Sequence, residues 1–378
     1  MSELPPLVVR DLVASMSPAH CHCDGPGCWT RWQCFHGNAS HVPYIPESLV
    51  LANSVDGANV TTESILGYMI RFEPFMMALM GSILQRTCHS DGGLKPVFVD
   101  SGANEGFWSL LAGSYGCHVI AVEPQPGCHT WIKRSLALNP HAMRHVHLWP
   151  HFLSPDHNMT LNITSDTCIG GETFAADVPS VASIKRAAAP KSSRVDANDP
   201  GTLTTSVSAA RLDAHAYFGA HSDARVALWH VDTEGAEVPV LRSASALFES
   251  ERIDRVVIEV HPWEWSKYHV SLASGYAEFI ERFGSWDCIW ACTGQRINWV
   301  AEASRVAAQM RHGHRGHGGY CNPLWSAFSP RGGPRASAVD AFCVRPGVDA
   351  NTETAFSTQP KNLSEAQPHV QNAVTVTE

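Results

Sequence analysis

The sequence predicts an α/β fold: a mostly parallel, seven-stranded sheet with helices on both faces and an antiparallel hairpin closing one edge. Three observations lead there. From Lys95 onward, short apolar runs alternate with helix-length segments, the order that builds βαβ crossovers. Four of those runs end in acidic or glycine-bearing turns, as strands do at the ligand-binding edge of an open α/β sheet. The last two runs, Asp287–Ala291 and Val339–Val344, suit a closing antiparallel pair.

The elements follow in order. Pro96-Val97-Phe98-Val99-Asp100 is the first strand, Phe107–Ser114 the helix after it, and His118–Val122 the second strand. Thr130–Leu138 is the next helix, and Val146–Trp149 the third strand. Val226–Val231, a helix over Val238–Phe248, Val256–Val260 and a helix over Tyr276–Phe283 complete the core, which runs over residues 95–346. Residues 161–200 are a polar, Ala/Ser-rich insertion to which the pattern assigns no structure, and 310–335 form a Gly/His-rich loop. Before the core lie a Cys/His-rich extension (1–45) and a helical lead-in (46–94), clearest over Glu63–Gln85 and ended by Ser90-Asp91-Gly92-Gly93. After it, residues 347–378 carry few large apolar side chains and read as a disordered tail.

Composition narrows the function classes. The 378 residues are 44% hydrophobic and 17% charged, enough apolar material for a sizeable core. A formal charge of -9 with scattered cations argues against a nucleic-acid partner held through its phosphates; Lys185, Arg186, Lys191 and Arg194 make only a loose basic stretch. The most apolar segment, Ile65–Leu84, is broken by Arg71, Glu73 and Pro74, whereas a membrane span needs about 20 apolar residues. Glu3, Pro5, Pro6, Arg10 and Asp11 interrupt any signal-like apolar region at the amino terminus. The compartment has two readings: cytoplasmic if the sequence is complete, or a secretory lumen. The lumen is suggested by Asn-x-Ser/Thr acceptors at Asn38, Asn59, Asn158, Asn162 and Asn362 and by twelve cysteines.

Four motifs carry chemistry. Asp100-Ser101-Gly102-Ala103-Asn104-Glu105-Gly106 lies directly between a strand and a helix, where Gly102 and Gly106 permit a tight turn and close ligand approach. The Gly-x-x-x-Gly spacing is not the Gly-x-Gly-x-x-Gly of a pyrophosphate site. It suits S-adenosylmethionine, which has no pyrophosphate, and Asp100, Gly102, Asn104 and Gly106 are the residues expected around its amino-acid end. Glu123 ends the second strand about 20 residues later, where a carboxylate can accept both ribose hydroxyls. Asp232-Thr233-Glu234-Gly235-Ala236-Glu237 follows a later strand; Asp232 is expected to face the transferred group, Glu234 the substrate, and Glu237 to cap a helix. Glu259-Val260-His261 ends the next strand, so Glu259 would neighbour Asp232. With an ordinary pKa near 6.5, His261 would accept a hydroxyl proton at neutral pH.

Together these residues resemble the FkbM family of methyltransferases. The resemblance covers Val97 to Trp263: Val99 to Gly106, Val119 to Pro124, Leu212-Asp213, Asp232 to Glu237 with Val240-Leu241, and Glu259-Val260-His261. Ser101, Glu105 and the long insertion before Arg211 depart from the family pattern. The resemblance implies a Rossmann-like class I fold, S-adenosylmethionine as cofactor, and methylation of a hydroxyl on a glycan, sugar or small metabolite, with no metal. A nicotinamide-dependent oxidoreductase on the same sheet, or a catalytically silent binding module, are the rival readings. His20, Cys21, His22, Cys23, Cys28, Cys34 and His36 form a cluster open to three readings: disulfides, free thiols or a zinc site of non-standard spacing. The run His312, His314, His317 reads as solvated low complexity.

Overall fold

Strand β3 (Val97–Ser101) is an interior strand of the main sheet, and every one of its residues is buried. A computed structural model of the chain describes residues 51–52, 59–60, 74–88, 94–163, 168, 205–291, 296–311 and 339–348. Within them, β1 (Leu51–Ala52) and β2 (Asn59–Val60) form a short antiparallel pair, and α1 (Pro74–Thr87) precedes the central sheet. The chain then runs β3, α2 (Phe107–Ser114), β4 (His118–Val122), α3 (Pro126–Leu138), α4 (Pro140–Met143) and β5 (Val146–Trp149). Next come β6 (Phe152–Leu153), β7 (Thr160–Ile163), β8 (Thr205–Ala210), α5 (Ala216–Ala220) and β9 (Val226–Val231). The closing part is α6 (Glu237–Arg242), α7 (Ser245–Glu249), β10 (Arg255–Val260), α8 (Leu272–Phe283), β11 (Asp287–Trp290), α9 (Trp299–Arg311) and β12 (Val339–Val344).

Seven strands make the main sheet in the order β11-β12-β10-β9-β3-β4-β5. The five from β10 to β5 are parallel, while β12 runs antiparallel to β10 and β11 antiparallel to β12. This is the Rossmann-like sheet that the strand–helix alternation predicts. Its two faces follow from the period of two along each strand. Phe98, Val119, Leu228 and Val257 join α1 and α2 on one side. Val97, Val99, Trp229 and Ile258 pack with Phe279 and Phe283 of α8 on the other. The crossovers from β3 and β9 diverge in opposite directions along the sheet. A crevice therefore opens at the carboxyl ends of β3, β4 and β9, the topological switch point where such sheets bind ligands.

The differences from the sequence reading have local causes. The helix expected over Val238–Phe248 is two, α6 and α7. Ser243 turns its carbonyl to the Asp213 N–H (3.1 Å), and Asp213 Oδ2 then accepts the Ala246 N–H (3.0 Å) at the start of α7. The beginning of the insertion is strand: β7 pairs with β8, and β6 pairs with β8 on its other edge. Helix α9, amphipathic but rich in Ala, has no counterpart in the sequence reading. Of the lead-in helix, the described part is α1; the amino-terminal Cys/His cluster, the His312–His317 run and the tail from residue 349 on lie outside the described residues. No helix among the described residues is long and apolar enough to cross a membrane.

Candidate active site

A cavity of about 300 Å³ occupies the crevice, walled by the turns after β3, β4 and β9 and by the loop between β6 and β7. Its geometry begins at Gly102, which adopts φ 83°, a left-handed conformation that favours glycine. A Cβ there would lie 1.7 Å from the Asp232 carbonyl oxygen, so glycine is what lets the β3 and β9 turns touch. The Gly102 and Ala103 N–H groups both donate to the Val122 carbonyl (3.0 Å each), binding the turn to β4. Asn104 (φ 51°) and Glu234 (φ 52°) are also left-handed without being glycine. Such strain persists only where surroundings hold it, and it gathers at functional sites.

Glu123 is 2% exposed and lines this cavity. Its Oε2 accepts the Asn104 N–H and its Oε1 the Gln125 N–H, both at 2.8 Å. Burial raises its pKa to about 7 despite those two backbone donors. The Gln125 side chain also hydrogen-bonds this carboxylate, so of its roughly four lone-pair sites about one is left to accept a ligand hydroxyl. Behind Asn104 lies the Cys128–Cys168 disulfide. Asn104 Oδ1 is 2.9 Å from Cys168 Sγ and 3.7 Å from Cys128 Sγ; disulfide sulfurs carry no proton, so these are contacts that wedge the turn in place.

Asp232, Thr233 and Glu234 line the same cavity. Asp232 Oδ1 and Thr233 Oγ1 are buried and make no hydrogen bond. Two adjacent orphaned polar atoms on a cavity wall mark a place built for a ligand group, because leaving them unpaired costs about 1–3 kcal/mol each. Glu259 lies beside them and keeps 27% of its side chain exposed. Burial of its carboxyl group, then the charge and hydrogen bond of Asp232, hold its pKa well above the usual carboxylate range. Burial, again with Asp232, raises Asp340, its cross-strand neighbour in β12, to about 6. Oxygens of Asp232, Glu234 and Glu259 fall within 4.8 Å of one another, a spacing that a divalent cation could bridge.

The structure separates the predicted residues into two groups. Gly102, Asn104, Glu123, Asp232 and Glu234 line the cavity, with Glu259 adjoining Asp232. Asp100, Gly106 and His261 are not on its wall. Asp100 is 1% exposed, accepts from Ser109 Oγ (2.6 Å) and pairs with His230 Nδ1 (2.8 Å), which locks α2 and β9 to β3. Gly106 caps α2 at φ 86°, and a Cβ would meet Ile132 of α3 at 3.0 Å. His261 is buried against Glu237, with Nδ1 3.1 Å from Oε1, while its Nε2 is 3.6 Å from Glu234 and 3.8 Å from Glu259.

His261 does not fit the part of a neutral base. Burial alone would lower its pKa, but the hydrogen bond and charge of Glu237, with the charges of Glu234 and Asp232, outweigh burial and push it to about 9. At neutral pH it is an imidazolium and has no lone pair to accept a proton. Its partner makes no side-chain cap to α6, contrary to expectation: Glu237 is fully buried and also accepts the Gly235 N–H (2.8 Å) and Trp265 Nε1–H (2.7 Å). The sequence reading missed four wall residues of the β6–β7 loop, Ser154, Pro155, Asp156 and Met159, and also Tyr268. They sit outside the strand-end positions where sequence pattern places ligand contacts.

Residues 100–284 match the family model described as the Methyltransferase FkbM domain. No curated protein matches the chain. Residues 100–284 thus carry an FkbM methyltransferase domain, which supports a methyltransferase, and the crevice described above lies inside the matched segment.

Proposed function

We propose that the protein transfers a methyl group from S-adenosylmethionine to a hydroxyl oxygen of a sugar, glycan or small metabolite. The observation that carries this reading is the set of groups on the cavity wall. Gly102, Asn104 and Glu123 offer close backbone approach and a carboxylate acceptor, and the neighbouring Asp232 Oδ1 and Thr233 Oγ1 have no hydrogen-bond partner. These features suit the cofactor: glycine at 102 lets the β3 and β9 turns meet at the cavity, and Glu123 keeps an acceptor position for a ribose hydroxyl. S-adenosylmethionine, when bound, supplies an electrophilic methyl group on a sulfonium centre.

The residues of the chain then have distinct tasks. Glu123 takes a ribose hydroxyl, and the turn from Gly102 to Asn104 shapes the methionine side. Asp232 orients the acceptor hydroxyl and receives its proton at Oδ1 as the oxygen forms its bond to carbon. Thr233 and Glu234 hold the acceptor, and Glu259 keeps its own proton and donates it towards Asp232. His261, as an imidazolium, offsets the charge of Glu234 and Glu237 and positions the β9 turn. Holding two reactants in line supplies much of the rate on such a scheme. The test is calorimetry with S-adenosylmethionine, S-adenosylhomocysteine and NAD, followed by radiolabelled methyl transfer to a panel of hydroxylated acceptors. Binding of both adenosyl compounds and labelling of an oxygen are expected; binding of NAD alone would replace this reading with the oxidoreductase one.

A further inference from the structure

We infer that Asn158 is an N-glycosylation acceptor and that the chain matures in an oxidising compartment. Two independent observations lead here. Asn158-Met159-Thr160 is an Asn-x-Ser/Thr acceptor on the loop between β6 and β7, where residues 155–158 are all exposed. Asp156 Oδ1 accepts the Asn158 N–H (2.9 Å) and fixes the turn, while the Asn158 side-chain amide makes no hydrogen bond among the described residues. An oligosaccharide attached at that amide displaces no packing. The other acceptors offer less. Asn59 pairs with Ala52 and Asn162 with Ser206 inside β-ladders, and Asn38 and Asn362 lie outside the described residues.

The second observation is redox state. The six cysteines among the described residues form three disulfides, Cys88–Cys117, Cys128–Cys168 and Cys288–Cys343. They join α1 to the start of β4, α3 to residue 168, and β11 to its partner β12, so they are spread through the fold. Disulfides persist in secretory and extracellular settings and are rare where thiols are kept reduced. The compartment that forms them in eukaryotic cells is also the one that glycosylates Asn-x-Ser/Thr sites.

The chemistry balances. Asn158 Nδ2 attacks the anomeric carbon of an oligosaccharide carried on a lipid pyrophosphate. The N–C bond forms, the C–O bond to pyrophosphate breaks, the lipid pyrophosphate leaves with the electron pair, and the amide gives up one proton. Each disulfide forms as two thiols pass two electrons and two protons to a thiol–disulfide oxidant. Asn158 is not on the cavity wall, although Asp156 and Met159 are, so the glycan would stand beside the cavity mouth.

The experiment uses the full chain isolated from its natural source. Peptide-N-glycosidase in heavy-oxygen water, followed by peptide mass spectrometry, should convert Asn158 to labelled aspartate with loss of the glycan mass. Alkylation of the denatured, unreduced protein should leave Cys88, Cys117, Cys128, Cys168, Cys288 and Cys343 unmodified until a reductant is added. Asn158→Gln and Thr160→Ala, each made in the same cells, should abolish the label at position 158, and Asn158→Gln should leave cofactor affinity unchanged. Recovery of Asn158 wholly unglycosylated, or alkylation of all six cysteines without reductant, would overturn the proposal.

Discussion

Glu123→Gln is the perturbation that tests the cofactor side of the cavity most directly. The native carboxylate accepts two backbone N–H groups at 2.8 Å, one on each oxygen. In the amide, one of those oxygens becomes an NH2 that faces a backbone donor, so a buried N–H loses its partner. That costs about 1–3 kcal/mol of stability. Hydrogen bonds from the ribose hydroxyls to a charged acceptor are worth about 1.5–3 kcal/mol, so S-adenosylmethionine affinity should fall about 10- to 150-fold. The wild-type protein supplies its own control through pH. Because burial raises Glu123 to about 7, its carboxylate is largely protonated at pH 6 and largely ionised at pH 8. The ligand's hydroxyl donors prefer the ionised form, so wild-type affinity should rise about tenfold from pH 6 to pH 8, and the Gln variant should lack that rise. Isothermal titration at both pH values, with thermal melts to show folding, reads all of this. A folded Gln variant with wild-type affinity at pH 8 would refute the assignment of Glu123 to the ribose.

Three further outcomes follow from the same geometry. Asp232→Asn should lower turnover with the true acceptor by about 100- to 10,000-fold, the usual cost of losing a general base, while cofactor affinity barely moves. Normal turnover in single-turnover assays would make Asp232 a loop tie. Cys168→Ser removes the disulfide that wedges Asn104 in its left-handed conformation. Relaxation of about 1 kcal/mol should then weaken cofactor binding roughly fivefold, and equal Kd values for variant and wild type would show that the wedge is unnecessary. His261 has a folded pKa raised above its unfolded value, so its contribution is fully present below pH 6.5 and is lost as pH rises through about 9. Urea unfolding should show roughly 3 kcal/mol of stability disappearing across that window, a loss absent in His261→Ala; identical pH profiles would remove the charge from the argument.

The sheet was legible because its strands are short, apolar and separated by helix-length segments, and buried parallel strands have few other ways to look. Helix α2 and strands β4, β5 and β9 lie where the pattern puts them. The failures share a cause. Strand β7 has its partner β8 more than forty residues away, so nothing local marks it. The break between α6 and α7 depends on Asp213, again distant in sequence. Cavity lining was readable at Gly102, Asn104, Glu123, Asp232 and Glu234 because strand ends in a parallel sheet converge on one edge. It was unreadable at Asp156 and Met159, which reach the cavity only through the fold of a separate small sheet.

The acidic motifs also mislead a reader who counts charges without neighbours. Taken singly, Asp100, Asp232, Glu234, Glu237, Glu259 and His261 each look capable of acid–base work. Three-dimensional contacts sort them by what each oxygen or nitrogen already touches. Asp100 has its oxygens committed to Ser109 and His230, and Glu237 to Gly235, Trp265 and His261. Neither can take a substrate proton without breaking bonds that fix β3, β9 and the β10 turn. His261 is held protonated by its acidic neighbours, and Glu259 resists ionisation because its carboxyl group is buried and Asp232 stands beside it. Asp232 and Glu234 are the two of these groups on the cavity wall, and Asp232 Oδ1 has no hydrogen-bond partner. The proposed proton transfer to Asp232 therefore depends on the committed groups behind it staying where they are.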